Sequence, residues 1–198
     1  MTSLNEKKAF IFIGRSGGGK GTQANCLMGR LAPSKSIYMQ SGAELREFIK
    51  GGSYTQKLSA EVFNNGILQK EFVAIHMWTQ VLMDQYTGEE YLIFDGSPRR
   101  VHEAGVMASM FEFYGIKKVY IIHLDVPREV ARERLIARKR IDDTLEGIEK
   151  RLSWYESDVL PALEFFKGKE KDGFFVLEVN GNQPVDKVCE EIVRKAGL

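Results

Sequence analysis

The sequence has little cysteine, little net charge and few histidines, and each shortage excludes a class of protein. Two cysteines, Cys26 and Cys189, are too few for a disulfide framework or a zinc site, so we expect two buried thiols in a reducing compartment. Lysine and arginine number 28 against 27 acidic residues, a net charge of +1, which argues against a basic protein that coats nucleic acid. The histidines, His76, His102 and His123, are not spaced as metal ligands.

Long apolar runs are also missing. No segment approaches the roughly 18 apolar residues of a membrane-spanning helix, and Met1–Lys8 lacks the apolar stretch of a signal peptide. The 198 residues, 43% hydrophobic and 28% charged, have the composition of an ordinary globular domain. We therefore expect one cytoplasmic domain without membrane or nucleic-acid partners.

Short apolar runs alternate with helical patterns along the chain. The predicted strands are Ala9–Ile13, Ser36–Met39, Tyr91–Phe94, Val119–Leu124 and Phe174–Val179. Helical patterns separate them; one predicted helix spans Gln56–Asn64, and the longest spans Thr144–Phe166. Such alternation predicts an α/β fold with a parallel five-stranded sheet covered by helices on both faces. Because ligands of these sheets bind beyond the carboxyl ends of the strands, those ends are where a functional site is expected.

Glycine is abundant, with 19 copies, and it gathers directly after the first strand. The segment Gly14–Thr22 reads GRSGGGKGT and fits the G-x-x-x-x-G-K part of a P-loop. The backbone N–H groups of such a loop surround phosphate, and the following helix adds its positive N-terminal dipole. Lys20 supplies a full positive charge. Gly21 stands where the generic pattern has Ser or Thr, and Thr22 follows it.

Two further segments carry charge in places that suit phosphate chemistry. Asp95 closes the apolar run before it, where P-loop proteins place a carboxylate near Mg²⁺; the alternative is a helix-capping aspartate. Later in the chain, Arg134 and Arg138 share one helix face, and Arg140 and Arg151 follow. Phosphoryl transfer needs cations around the migrating group, although a charge run is more often a solvated helix face.

In order along the chain, these motifs resemble the adenylate kinase family of nucleoside monophosphate kinases over Ala9–Gly197. The family loop G-x-x-G-x-G-K-G-T-Q matches Gly14–Gln23, and its acceptor motif S-T-G-D-x-L-R resembles Gln40–Arg46. The D-G-F-P-R motif resembles Asp95–Arg99, and the lid borders match Arg134, Arg138, Arg140, Asp142, Asp143 and Arg151. Gln40, Ala43 and Ser97 depart from the family pattern.

The resemblance implies a P-loop NTPase-type fold with a core and two smaller parts. The core comprises residues 1–39, 73–137 and 143–198, the acceptor-binding insertion residues 40–72, and a minimal lid residues 138–142. Only Lys139 separates Arg138 from Arg140, where family members usually have several more residues. No cysteine lies in the lid, so no zinc is expected, and the implied state is a monomer.

The resemblance also implies ligands and residue roles. The ligands are ATP with Mg²⁺ and a nucleoside monophosphate, most readily AMP. The implied catalytic residues are Lys20, Arg99, Arg138, Arg140 and Arg151. The implied ATP contacts are Gly17, Gly18, Gly19, Lys20, Gly21, Thr22, Arg134, Arg138 and Gln183. The implied acceptor contacts are Ser41, Gly42, Arg46, Leu68, Gly96, Arg99, Glu103, Arg140 and Arg151. Asp95 would orient the water around Mg²⁺.

Glu103 is the departure with the largest consequence, because the family usually has a glutamine four residues after Arg99. A glutamine amide can donate to N1 of adenine and accept from its 6-amino group, whereas an ionised glutamate only accepts. Guanine offers an N–H at N1 and an amino group at C2, which suit an acceptor. A guanylate- or pyrimidine-type kinase therefore stays an alternative to the AMP enzyme. A second alternative is a nucleotide-binding regulatory or assembly protein with weak turnover.

Overall fold

Five parallel strands form one sheet in the order β2-β3-β1-β4-β5. A computed structural model describes residues 8–140 and 143–198. The strands are β1 (Lys8–Gly14), β2 (Ser36–Gln40), β3 (Tyr91–Asp95), β4 (Lys118–Asp125) and β5 (Phe174–Asn180). Every neighbouring pair is parallel. The predicted parallel sheet is confirmed, and β1 lies at its centre.

Nine α-helices connect or flank these strands in the described part of the chain. They are α1 (Lys20–Leu31), α2 (Ser41–Phe48), α3 (Tyr54–Asn64), α4 (Glu71–Gln85), α5 (Val101–Phe113), α6 (Arg128–Arg138), α7 (Leu145–Trp154), α8 (Leu160–Lys167) and α9 (Val185–Ala196). A search of the same residues for a helix with the length and apolarity to cross a bilayer finds none.

The core lies on both faces of the sheet because the side chains of β1 alternate between two buried clusters. Ile11 and Ile13 join the cluster beneath α4, α5 and α8, whose largest members include Trp78. Phe10 and Phe12 join the opposite cluster, which packs against α1 and α9. Burial on both faces explains why this strand is a continuous apolar run rather than an alternating one.

Two helix boundaries differ from the sequence prediction. Helix α3 begins at Tyr54 rather than Gln56, because Ser53 and Gln56 form a capping box in which each side chain accepts from the other's backbone N–H. The predicted helix Thr144–Phe166 is divided by the π-helical turn Tyr155–Val159. A single extra residue per turn at this point leaves the apolar periodicity almost unchanged, so the sequence pattern does not reveal it.

The prediction of two free buried thiols is wrong, because Cys26 and Cys189 form a disulfide. Cys26 lies on α1 and Cys189 on α9, and these helices pack side by side on one face of the sheet with the two Cα atoms 6.2 Å apart. The cysteines are 163 residues apart in sequence, so only the tertiary packing of the two helices brings them together.

The carboxyl ends of the strands gather the segments with the motifs described above. The glycine-rich loop joins β1 to α1, α2 begins directly after β2, and Asp95 ends β3. The arginine-rich helix α6 follows β4. One edge of the sheet therefore positions every motif that the sequence singled out.

Candidate active site

The glycine-rich loop turns sharply between β1 and α1. The Gly18 N–H donates to the Arg15 carbonyl at 3.0 Å, and Gly17 and Gly19 have φ angles of 83° and 87°. A side chain at Gly17 would also collide with α6, since its Cβ would lie 2.4 Å from the Ala131 carbonyl oxygen. Glycine is thus required at this position by conformation and by space, and the loop is held against α6.

Lys20 lies at the start of α1 and its ammonium group points back into the loop. Its Nζ donates to the carbonyl oxygens of Gly14 and Arg15, each at 2.9 Å. Burial lowers the pKa of Lys20 to about 8; the Asp95 carboxylate opposes this shift, and the positive charges of Arg99 and Arg138 add to it. The loop therefore surrounds a cation whose charge changes within an accessible range of pH.

A large cleft of about 560 Å³ opens above this loop. Six arginines line it: Arg46, Arg99, Arg134, Arg138, Arg140 and Arg151. The glycine-rich loop and the start of α1 also line the cleft, with Gly17, Gly19, Lys20, Gly21 and Thr22. Further lining residues are Gly42, Asp95, Gly96 and Trp154. A concave site with so many cations and exposed backbone N–H groups is suited to a polyphosphate.

Asp143 organises two of these arginines. Its carboxylate accepts from Arg138 at 2.8 and 3.0 Å, from Arg151 at 2.6 Å and from the Arg140 N–H at 3.0 Å. Its side chain is 1% exposed. Burial would raise the pKa of Asp143, but the hydrogen bonds from Arg138 and the Arg140 N–H and the nearby charges outweigh it and hold the pKa at about 2. The carboxylate therefore stays ionised and fixes both guanidinium groups.

Arg99 is held at the carboxyl end of β3. Its Nε donates to the Gly96 carbonyl oxygen at 2.7 Å. Burial lowers the pKa of Arg99, while the carboxylates of Glu103 and Asp95 oppose that shift. An arginine remains protonated in proteins, so Arg99 presents a partly desolvated positive charge to the cleft.

A small side pocket adjoins the cleft and shares Gly96 and Arg99 with it. It is lined by Ser41, Leu45, Leu68, Gln69, Ala74, Met77, Gly96, Ser97, Arg99, Arg100 and Glu103. Glu103 is 2% exposed. Its Oε2 accepts from the Arg99 N–H at 2.7 Å, and its Oε1 makes no hydrogen bond of normal geometry among the described residues. The side chains of Ser97 and Trp78 lie close enough to the carboxylate to favour its ionised form. Burial raises the pKa of Glu103 against the opposing effect of Arg99.

Arg134, which lines the cleft, contacts the loop after β5. Both terminal nitrogens of Arg134 lie 3.3 Å from the Gly181 carbonyl oxygen. The Gln183 side chain turns toward its own helix and loop, where its Nε2 donates to the Asn180 carbonyl at 3.0 Å and lies 3.3 Å from the Glu191 carboxylate. Neither Gly18 nor Gln183 lines the cleft, so the structure does not bring these two predicted ATP contacts together with the others.

The sequence comparisons agree with this geometry. The adenylate kinase family model matches residues 12–171. The chain belongs to the adenylate kinase family. The adenylate kinase of Porphyromonas gingivalis is 32% identical over 163 residues, which cover 80% of this chain and 82% of that protein. Adenylate kinase 1 of a Nostoc species is 28% identical over 187 residues, covering 94% and 97%. The Bacteroides fragilis adenylate kinase is 29% identical over 188 residues, covering 93% and 95%.

Membership of the adenylate kinase family confirms the predicted family, the α/β P-loop fold and the enzyme class, a phosphotransferase. Of the residues that the sequence nominated, Lys20, the predicted arginines and Asp95 line one cleft, while Ser41, Leu68 and Glu103 line the adjoining pocket. Asp142, part of the lid motif, lies outside the described residues.

Sequence reasoning missed two side chains of this adenylate kinase site. Trp154 was only part of the predicted helix Thr144–Phe166, yet it lines the same cleft as Arg151. Tyr38 was only part of a predicted strand, yet its hydroxyl donates to the Asp95 carboxylate at 3.0 Å. The alternation of side chains along β2 carried a signal for Tyr38, because Tyr38 and Gln40 must share a face of the strand. A search of the described residues finds no group of three His, Cys, Asp or Glu side chains that could hold a metal ion.

Proposed function

We propose that this adenylate kinase family member catalyses reversible phosphoryl transfer between ATP, bound with Mg²⁺, and AMP, which yields two ADP. An oxygen of the AMP phosphate forms a bond to the γ-phosphorus of ATP, and the bond from that phosphorus to the bridging oxygen breaks. The observation that carries the proposal is the convergence of Lys20, Arg138, Arg140 and Arg151 on one cleft that adjoins a pocket for a second ligand.

The donor nucleotide is proposed to occupy the loop and the α6 side of the cleft. The backbone N–H groups of Gly17–Thr22 and the Lys20 ammonium would hold the phosphates of ATP. Arg134 is proposed to lie against the donor base, beside the backbone of Gly181 and Gln183. Arg138 would bind the terminal phosphates, since Asp143 already fixes its guanidinium at the cleft wall.

The acceptor is proposed to occupy the side pocket and the adjoining wall of the cleft. Arg46 and Arg99 would hold the monophosphate, because both line the cleft. Base and ribose would contact the side pocket. The proposed contacts there are Ser41, Gly42, Leu68, Gly96 and Glu103. This arrangement would direct the acceptor phosphate toward Arg140 and Arg151, where charge accumulates during transfer.

Catalysis in this site is proposed to consist of positioning and charge stabilisation, since phosphoryl transfer requires little covalent work from side chains. Asp95 is a suitable residue to orient the water of Mg²⁺, because a carboxylate at the end of β3 lines the same cleft as Lys20 and Thr22. When bound, Mg²⁺ neutralises charge on the phosphates. Arg140 and Arg151 would stabilise the charge that develops on the migrating group.

We further propose the division into a core, an acceptor-binding insertion (residues 40–72) and a minimal lid (residues 138–142). Closure of the two smaller parts over both nucleotides would exclude water and limit ATP hydrolysis. The short connection between α6 and α7 supports a lid that is little more than a turn. We also propose that the enzyme acts as a monomer.

A guanylate-type activity is the second candidate, and Glu103 is the observation that favours it. An ionised carboxylate in the side pocket would accept from N1–H and the 2-amino group of guanine, but it would repel the lone pair on N1 of adenine. AMP remains the first candidate because the relatives of this chain are adenylate kinases. Burial also raises the pKa of Glu103, which favours the protonated carboxyl that could donate to N1.

A coupled assay across AMP, GMP, CMP, UMP and their deoxy forms tests the proposed function, with Mg·ATP as donor. We expect turnover with AMP to exceed that with the other acceptors. Preference for GMP would favour the second candidate. Turnover that is negligible with every acceptor, in a protein that still binds ATP, would favour a nucleotide-binding regulatory or assembly role and would contradict the kinase.

A cytoplasmic location is proposed on the basis of the substrates, which are intracellular nucleotides. The Cys26–Cys189 disulfide is unusual for a reducing compartment. Trapping thiols during cell lysis and measuring the oxidised fraction by mass spectrometry tests whether the bond forms in cells. Cell fractionation tests the location directly.

A further inference from the structure

Three polar side chains form a closed triangle beside the glycine-rich loop. Asp95 ends β3, and Tyr38 and Gln40 project from the neighbouring strand β2. The Tyr38 hydroxyl lies 3.0 Å from Asp95 Oδ2, and the Gln40 Nε2 lies 3.3 Å from the same oxygen and 3.0 Å from the Tyr38 hydroxyl. Each pair in the triangle is therefore joined by a hydrogen bond.

The hydrogen bonds of this triangle have a defined direction. The single hydroxyl proton of Tyr38 goes to Asp95, and the two amide protons of Gln40 go to the Tyr38 oxygen and to Asp95. Burial and the Asp95 carboxylate both raise the pKa of Tyr38, so its hydroxyl keeps its proton and remains a donor. Both donors reach Oδ2, and neither uses Oδ1.

Strand pairing fixes where the two donors lie. Residues 38 and 40 are two apart on β2, so their side chains leave the same face of the strand. In the parallel register, Gln40 is the partner of Asp95 and Tyr38 is the partner of Ile93. The positions of the donors are thus determined by the central sheet rather than by a mobile loop, which is the arrangement needed to hold a functional group precisely in place.

Helix α1 closes the triangle from the other side. A Cβ placed on Gly21 would lie 3.1 Å from Asp95 Oδ2, 3.2 Å from Gln40 Nε2 and 3.4 Å from the Tyr38 hydroxyl. The first turn of α1, next to Lys20 and Thr22, therefore packs directly on all three polar groups. This close approach accounts for a glycine at the position where a generic P-loop has a hydroxyl side chain.

We propose that Tyr38 and Gln40 are positioning residues that hold Asp95 through Oδ2 and leave Oδ1 to orient the water shell of the Mg²⁺ that accompanies ATP. The proposal rests on the proposed role of Asp95. Two donors on one oxygen restrict rotation of the carboxylate. Without them, the carboxylate would spend less time in the orientation that the hydrated ion requires.

The test uses the full-length variants Tyr38→Phe and Gln40→Leu, with Tyr91→Phe as the matched control. Tyr91 lies on β3, four residues before Asp95, and contacts Phe10 rather than the triangle. Calorimetry gives the Kd for ATP with and without Mg²⁺, so the ratio of the two values measures the contribution of the ion without any turnover. Kinetics give kcat, the KM for AMP and the half-activating Mg²⁺ concentration.

We expect each variant to reduce the Mg²⁺-dependent gain in ATP affinity by about fivefold and to raise the half-activating Mg²⁺ concentration similarly, since hydrogen bonds to a charged group are among the stronger ones. The affinity for metal-free ATP and the KM for AMP should stay within about twofold of wild type. Tyr91→Phe should match wild type throughout. A melting temperature measured for each variant separates loss of folding from loss of positioning.

Asp95→Asn separates failure of this proposal from failure of the proposed function. If Asp95→Asn loses the Mg²⁺ effect while Tyr38→Phe and Gln40→Leu keep it, the positioning role is wrong and the role of Asp95 stands. If Asp95→Asn also keeps the full Mg²⁺ effect, both assignments are wrong. A loss of metal-free ATP affinity equal to the loss of Mg·ATP affinity in the folded Tyr38→Phe variant would also overturn the positioning role.

Discussion

The Glu103 carboxylate accepts a 2.7 Å hydrogen bond from the backbone N–H of Arg99. One bond thus joins the residue proposed to contact the acceptor base to the residue proposed to hold the acceptor phosphate. The second carboxylate oxygen is buried and makes no hydrogen bond of normal geometry among the described residues. We propose that this oxygen discriminates between bases, since its protonation state decides whether it donates or accepts.

The substitution Glu103→Gln should improve recognition of AMP. The glutamine oxygen can still accept from the Arg99 N–H, while its amide nitrogen replaces that second oxygen and offers a donor to N1 of adenine. A mismatched buried polar contact costs roughly 1–3 kcal/mol, so we expect the KM for AMP to fall by about 5- to 150-fold. The KM for ATP should change little, and GMP should become a poorer acceptor.

The pH dependence of stability and of AMP affinity tests the same role of Glu103 independently. Its pKa is raised, so the folded protein binds a proton more readily than the unfolded chain does, and this residue contributes less to stability as the pH rises above the ordinary glutamate range. AMP affinity should likewise improve as the pH falls toward the raised pKa. Both trends should vanish in Glu103→Gln and persist in Glu112→Gln, an exposed site on the same helix. An unchanged AMP affinity and pH profile would show that Glu103 does not contact the base.

Replacing Lys20 with methionine should abolish most turnover and leave the fold intact. Methionine keeps much of the stem and removes the charge, and we expect kcat to fall on the order of 10²-fold or more. Because burial lowers the pKa of Lys20, its charge costs stability in the folded state, so the melting temperature of Lys20→Met should equal or exceed that of wild type. Lys187→Met, at an exposed site on α9, is the control.

The lowered pKa also predicts how wild-type ATP affinity varies with pH. The pKa of Lys20 is about 8, so at higher pH the side chain must take up a proton before it can bind the phosphates as a cation. The affinity for ATP should therefore fall about eightfold between pH 7.5 and 9. Calorimetry in buffers of different ionisation enthalpy measures the proton uptake. Wild-type turnover in the folded Lys20→Met protein would contradict the assignment of the loop.

Two arginine substitutions should separate the donor from the acceptor. Arg99→Ala should raise the KM for AMP by about 10- to 100-fold with a smaller effect on ATP, because a charge-assisted contact to the monophosphate is lost. Arg138→Ala should show the reverse pattern. Arg132→Ala is the matched control, since Arg132 lies on the same helix as Arg138 but pairs with Glu149. Small and equal effects in both variants would indicate that these arginines are solvent-exposed side chains that bind neither nucleotide.

If the proposed minimal lid covers the cleft, we expect measurable ATP hydrolysis in the absence of an acceptor. Helix α6 ends at Arg138, Lys139 takes a left-handed conformation with φ 53°, and the Asp143 N–H donates to the Arg140 carbonyl at 2.9 Å. So compact a turn can exclude less water than a longer lid. Phosphate release without AMP should exceed that of a relative with a longer lid, and a flexible insertion at Lys139 should reduce it. No detectable release would contradict the argument from water exclusion.

Much of this adenylate kinase was determined by its sequence alone. Apolar runs of strand length alternating with helical patterns specify a parallel sheet, because only strands buried on both faces are apolar throughout. The loop Gly14–Thr22 is a local motif that its own glycines make recognisable, so a phosphate-binding role could be proposed from the sequence. The motifs Gly14–Gln23, Gln40–Arg46 and Asp95–Arg99, followed by the lid-border residues, were together sufficient to identify the family.

Only the tertiary structure decided which distant side chains meet. The Cys26–Cys189 disulfide depends on α1 and α9 packing together across 163 residues of sequence, and no local pattern encodes that distance. Asp143 fixes Arg138 and Arg151, and Tyr38 contacts Asp95, only after helices and strands are packed. Local motifs are determined by the conformational preferences of neighbouring residues. These contacts instead depend on strand register and helix packing, which result from the assembly of the entire hydrophobic core.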